Sequence, residues 1–267
     1  MTMQSIQQLL EIMRALRNPA SGCPWDLEQD FQSLIPYTLE EAYEVADAIE
    51  RNNLDDIKSE LGDLLFQIIF YSQLAEEQRA FDFNEVAQAI SEKLIRRHPH
   101  VFADTKVEDA AAQTREWEKI KQQERKAKAV ESAVNLSHLD DVSRTLPSLM
   151  RAEKLQKRAA KEGFDWPNIK GVMAKVYEEL DEVQQEFDAD IHEKEKIENE
   201  MGDLFFSCIN LSRHAGVDAE QCLRKANLKF ERRFRALEQI AKNKNLQING
   251  MTTDELEELW EEVKKQE

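Results

Sequence analysis

Glycine and proline are scarce, at 7 and 6 in 267 residues. So little punctuation leaves no room for the many turns of a sandwich or barrel and favours helices joined by short links. Cysteine is scarcer still, at 3, and Cys23, Cys208 and Cys222 form no CxxC pair. That excludes a disulfide framework and a thiolate metal site, and it fits a reduced, cytoplasmic setting. The expected role of these thiols is that of small buried apolar residues. No apolar run approaches the roughly 18 residues of a membrane span. The opening MTMQSIQQLLEIMRALRN reads as an amphipathic helix without the apolar core of a signal peptide. Positive charge is also short: 36 Lys and Arg stand against 53 Asp and Glu, a net −17. A nucleic-acid surface needs clustered cations, so neither nucleic acid nor membrane is an expected partner.

What the chain does have is repetition. IMRA (Ile12 to Ala15) returns as LMRA (Leu149 to Ala152), and LEEAYEV (Leu39 to Val45) as YEELDEV (Tyr177 to Val183). SELGDLLF (Ser59 to Phe66) returns as NEMGDLFF (Asn199 to Phe206), and KLIRRH (Lys93 to His98) as KFERRF (Lys229 to Phe234). REWEKIKQQE (Arg115 to Glu124) returns as ELWEEVKKQE (Glu258 to Glu267). The matches keep one order and a nearly constant offset, the signature of a tandem duplication. The expected division is 1–125, a linker over 126–145 where periodicity weakens, and 146–267. Within each copy the pattern is helical: Leu54, Ile57, Leu61, Leu64, Leu65, Ile68 and Ile69 follow the spacing of one buried face. Asp82 and Asp218 read as N-caps. No segment alternates as a strand does, so the expected fold is all-α, two tandem repeats of a small helical bundle.

The repeated SELGD and NEMGD place acids beside a glycine in a helix interior, where Gly costs about 1 kcal/mol relative to Ala. At about 100° per residue, Glu60 and Asp63 share one flank of the apolar stripe. Glu41 and Glu44 bear the same spacing on the preceding helix, and a short turn near Asn52 and Asn53 sets the two pairs face to face. The second copy supplies Glu179, Glu182, Glu200 and Asp203. Converging carboxylates repel unless a cation sits among them, and an oxygen-only donor set suits Mg²⁺, with Mn²⁺ as a substitute. Gly62 and Gly202 would then leave room for a partner helix or a phosphate. A di-iron site of the ferritin kind would want Glu-x-x-His, which neither copy has.

Cations repeat as well. Lys93 and Arg97 share a helix face, as do Lys229 and Arg233, and each pair suits phosphate. Trp117 with Lys121, and Trp260 with Lys264, pair an aromatic ring with a cation one turn away, either as core and surface or as flanks of a nucleobase and phosphate. Together the parts suit a polyphosphate substrate.

EEAYE followed by ELGD, and EELDE followed by EMGD, resemble the EExxE…ExxD signature of the MazG nucleoside triphosphate pyrophosphohydrolases. GCPWD (Gly22 to Asp26) and RRHPHVF (Arg96 to Phe102) are similar to that family's N-terminal domain, and the resemblance spans the chain. It implies an all-α, homodimeric enzyme that hydrolyses nucleoside triphosphates, broadly or for clearance of non-standard ones, to monophosphate and pyrophosphate with Mg²⁺. By motif, Glu41, Glu44, Glu60 and Asp63 would hold metal in the first copy. Glu179, Glu182, Glu200 and Asp203 would hold metal and act in catalysis in the second. Lys229, Arg233, Trp260 and Lys264 match nucleotide-binding positions, and Glu178 lies within the same motif as Glu179.

The copies differ in charge. Lys175 and Lys196 lie four residues before Glu179 and Glu200, where the first copy has Tyr37 and Asp56. Two extra cations favour a triphosphate and place most catalysis in the second copy, unless they are only helix-surface ion pairs. The alternative from another class is an acidic helical interaction protein that binds nucleotide and Mg²⁺ without turnover.

Overall fold

The computed structural model describes residues 2–103, 109, 112–113, 116–117, 119–120, 123–124 and 137–266. Lys121 and most of the expected linker lie outside them. The chain divides into two units, Met1–Ser132 and Ala133–Glu267. Among the described residues there is no strand, and the fold is a tandem of helical repeats.

The first unit contains α1 (Thr2–Leu16), α2 (Pro24–Glu28), α3 (Ile35–Glu50), α4 (Leu54–Glu77), α5 (Phe83–Arg97) and α6 (Pro99–Phe102). Its core joins Met13 of α1 to Leu34 and to Ile69, Phe70 and Leu74 of α4, with Leu9, Leu10, Phe31 and Phe66 around them. The α3–α4 turn is tight because Asn52 adopts φ 53°, a left-handed conformation that Asn tolerates. Asn53 then caps α4, its side-chain oxygen accepting from the Asp55 and Asp56 amides at 3.2 and 3.3 Å. A hydroxyl pair, Thr38 to Tyr71 at 2.8 Å, ties α3 to α4. These constraints fix the register of the two acid-bearing helices.

The second unit contains α7 (Ser148–Lys161), α8 (Ile169–Asp188), α9 (Lys194–His214), α10 (Ala219–Asn243) and α11 (Thr253–Gln266). The hairpin of α8 and α9 repeats that of α3 and α4. Gln156 of α7 donates to the Phe206 carbonyl of α9 at 2.8 Å. Leu237, Ala241, Leu259 and Val263 close α11 onto α10. Asp82 and Asp218 are N-caps as expected, accepting from the Glu85 and Gln221 amides at 2.9 Å.

Two expectations are overturned. The α4 stripe is only partly buried: Ile69 is covered, but Leu54 is 80% exposed and Leu61 and Ile68 are exposed too. The helix is apolar on more than one face, and the core takes the one carrying Ile69, Phe70 and Leu74. Phe205, Phe206, Leu180 and Tyr177 are similarly exposed in the second unit. Cys208 and Cys222 are exposed rather than buried, and Cys23 is intermediate. Local desolvation still pushes the Cys208 thiol upward.

Candidate functional site

Glu41 and Glu44 reach from α3 to meet Glu60 of α4, each offering an oxygen within 4.8 Å of the others. Glu179 and Glu182 of α8 meet Glu200 of α9 in the same way. Spacing of three residues puts two carboxylates of one helix on the same side, and the hairpin brings the third across. Asp63 and Asp203 are exposed and lie outside these triads. Asp63 still acts at short range, since its charge helps to raise the proton affinity of Glu41 and Glu60.

The electrostatics show unrelieved crowding. Glu41 is pushed upward by desolvation, then by the charges of Asp63, Glu44 and Glu60. Glu60 rises through desolvation and the neighbouring Glu44 charge. Glu182 rises through desolvation and the Glu179 charge, opposed in part by Lys175. A cation in each triad would relieve this crowding. Every donor is a carboxylate, so the set fits Mg²⁺ or Mn²⁺ rather than zinc.

Glu179 is the most enclosed of the six, with 4% of its surface exposed. Lys175 pairs with it, placing Nζ 2.6 Å from Glu179 Oε1 and 2.9 Å from Glu178 Oε1. These contacts raise the ammonium well above its ordinary value. Tyr37 stands at the matching position in the first unit and cannot supply this charge; instead its ring meets Trp25 edge-on at 5.6 Å. Lys196 turns away from Glu200 and donates to Glu193 at 2.7 Å, because an ammonium near the start of α9 finds a nearer carboxylate in the preceding link. Glu193 carried no motif that would have announced it.

The remaining candidates occupy other helices. Lys229 is exposed on α10. The Arg233 guanidinium lies 6.0 Å from the Trp260 ring centre, and Phe230 lies 5.5 Å from it on a tilt. Lys264 pairs with Glu261. In the first unit Lys93 is half-buried, Trp117 lies 6.3 Å from the His98 ring, and Arg97 is engaged by Glu124. That carboxylate accepts from Arg97 Nη2 at 2.5 Å and from Arg96 Nε at 2.8 Å. The two guanidinium groups hold it at about 2.

Gly62 and Gly202 have nothing within 4 Å of where a Cβ would stand. No neighbouring helix of the described residues uses the space they leave.

Comparison with known proteins gives consistent findings. The model of the MazG nucleotide pyrophosphohydrolase domain matches residues 29–102 and 168–237. The chain is 53% identical over 265 residues to the nucleoside triphosphate pyrophosphohydrolase of Escherichia coli K12, covering 99% of each. It is 40% identical over 258 residues to the nucleoside triphosphate pyrophosphohydrolase/pyrophosphatase MazG of Thermotoga maritima, covering 97% of this chain and 95% of that one. A crystal structure of a MazG-related protein from Thermotoga maritima aligns with 43% of this chain and 98% of its own, at 28% identity and a TM-score of 0.37. No helix among the described residues is long and apolar enough to cross a membrane.

Proposed function

Because the chain belongs to the MazG nucleotide pyrophosphohydrolase family and is a nucleoside triphosphate pyrophosphohydrolase, a hydrolase of phosphoric anhydrides, we propose that it works with Mg²⁺, chiefly in the second unit, on a broad or non-standard set of nucleoside triphosphates. The observation that carries the assignment to the second unit is the buried Glu179 held by Lys175 within the triad. The first unit has an equivalent triad without that cation.

Glu179, Glu182 and Glu200 would hold the metal, with Asp203 one turn along α9, and Glu41, Glu44, Glu60 and Asp63 would do so in the first unit. Mg²⁺ supplies charge neutralisation at phosphate oxygens and acidifies water. Lys175 lends positive charge where the triphosphate's own negative charge meets the triad. Lys229, Arg233, Trp260 and Lys264, with Glu178 and Lys196, are proposed nucleotide-binding positions, as are Lys93, Arg97, Trp117 and Lys121 in the first unit.

Assembly as a homodimer is part of the same proposal, supported by the bare apolar stripe of Leu54, Leu61 and Ile68 and by the exposed Phe205 and Phe206 of the second unit. Work in the cytoplasm, away from nucleic acid, is supported by three unpaired thiols and the net charge of −17.

The test is product analysis by ³¹P NMR on the pure protein with Mg²⁺ and a nucleoside triphosphate, alongside Glu200→Gln and Glu60→Gln. Monophosphate and pyrophosphate are expected from wild type and Glu60→Gln, and neither from Glu200→Gln. Turnover surviving in Glu200→Gln but lost in Glu60→Gln moves catalysis to the first unit. Binding without turnover in wild type returns the case to a nucleotide-sensing interaction protein.

A further inference from the structure

The two copies part company just after their shared arginines. In the second, RRFRALE (Arg232 to Glu238) runs on inside α10. In the first, RRHPHVF (Arg96 to Phe102) breaks at Pro99 and restarts as α6. His98 and His100 stand at the break, where the second copy has Phe234 and Ala236. Neither histidine belongs to a carboxylate triad.

Their rings are half-buried and lie side by side, with centres 5.6 Å apart and planes tilted by 55°. His98 Nδ1 is 2.8 Å from the Leu94 carbonyl oxygen. A carbonyl only accepts, so in the neutral ring Nδ1 carries the proton and Nε2 keeps its lone pair. Metal-ligating histidines are held in this way, one ring nitrogen on a carbonyl and the other bare.

Zinc takes imidazole nitrogen at about 2.0–2.1 Å, so two rings sharing one ion have centres about 5–6 Å apart. The observed separation falls in that range. Pro99 stiffens the link, since its own φ is fixed and it restricts the residue before it. Little chain entropy is then lost when both rings close on an ion. Arg96 and Arg97 precede the pair and would repel a dication, but Glu124 accepts from both, at 2.8 and 2.5 Å. Its charge cancels half of theirs.

We propose that His98 and His100 form a two-histidine site for a late first-row divalent ion, with Zn²⁺ as the reference case. Among the described residues no Asp, Glu, Cys or further His gathers with them, so water completes the coordination. Imidazole donors favour Zn²⁺, Ni²⁺ and Cu²⁺, whereas the all-carboxylate triads favour Mg²⁺ and Mn²⁺. The first unit thus sorts two kinds of metal by ligand chemistry, and the ion clips α6 to the end of α5. Protons compete for the same lone pairs, so the site empties on acidification. None of this depends on the nucleotide reading of either unit.

The experiment is calorimetric titration of the full chain with Zn²⁺, its three thiols blocked and a large excess of Mg²⁺ occupying the triads. Wild type, His98→Gln and His100→Gln are compared. Wild type should show one site that each variant weakens by more than about tenfold. No site in wild type, or unchanged binding in either variant, overturns the proposal. A second measurement leaves the histidines untouched and uses Trp117, whose ring centre is 6.3 Å from that of His98. Paramagnetic Ni²⁺ bound at the pair should quench the Trp117 emission, and Trp117→Phe should lose that quenching while still binding Zn²⁺. Absence of quenching in wild type, or the same quenching in Trp117→Phe, overturns the proposal as well.

Discussion

Substituting methionine for Lys175 removes the cation beside the most enclosed carboxylate of the site while keeping most of the side chain's apolar stem. At the observed Nζ to Oε1 separation of 2.6 Å, two unit charges attract by about 6 kcal/mol at an effective dielectric of about 20. Desolvation offsets much of that. Breaking a fully buried pair from one side costs about 3–5 kcal/mol. The Lys175 side chain is 35% exposed, so solvent screening reduces the expected loss to about 2 kcal/mol. For a unit of this size that lowers the melting temperature by roughly 6–8 °C. Calorimetric melts without divalent cation are the assay. Adding Mg²⁺ should recover most of the loss, because a cation at the triad answers the same stranded charge. Combining the change with Glu179→Gln should recover it without metal. If Lys175→Met melts with wild type in chelator, or if neither Mg²⁺ nor Glu179→Gln restores it, the Lys175–Glu179 pair does not stabilise the unit.

Two further outcomes are expected. Asp165 is held at about 2, first by its hydrogen bond to Arg213 and then by His214. A carboxyl depressed in the folded state contributes in full above its unfolded value near 4 and loses that contribution as pH falls toward 2. With 27% of the side chain exposed, screening limits this to about 1–2 kcal/mol; acid melts of Asp165→Asn against wild type should therefore converge between pH 4 and pH 2, and parallel curves count against it. Gly202→Ala meets no neighbour, so it should stabilise α9 by about 1 kcal/mol in a melt without nucleotide; destabilisation in dilute protein would mean the open space is already filled within the unit.

Much of this arrangement is legible in the sequence because it is short-range. Acids three apart must share a helix side, and Asp82 and Asp218 announce helix starts through the residues that follow them. The triads needed one further inference, that a short turn makes neighbouring helices antiparallel, and Asn52 and Asn53 signalled it. What escaped depends on choices that spacing does not make. Lys196 has Glu193 and Glu200 both within reach, and its rotamer decides. The apolar pattern of α4 cannot say which of two faces the core will cover, so Leu54 and Leu61 read as buried and are bare.

The clasp of Arg96 and Arg97 on Glu124 has a consequence for the first unit. A free anion arriving at Arg97 meets a rival that is leashed to the same chain and is never diluted away. Tethering sets such a rival at an effective concentration of millimolar order or above. Weak or singly charged anions leave the clasp shut, whereas a ligand whose several charges engage more than one cation can prise it open. Severing the leash by Glu124→Ala should therefore raise the affinity of the first unit for small phosphates above that of wild type.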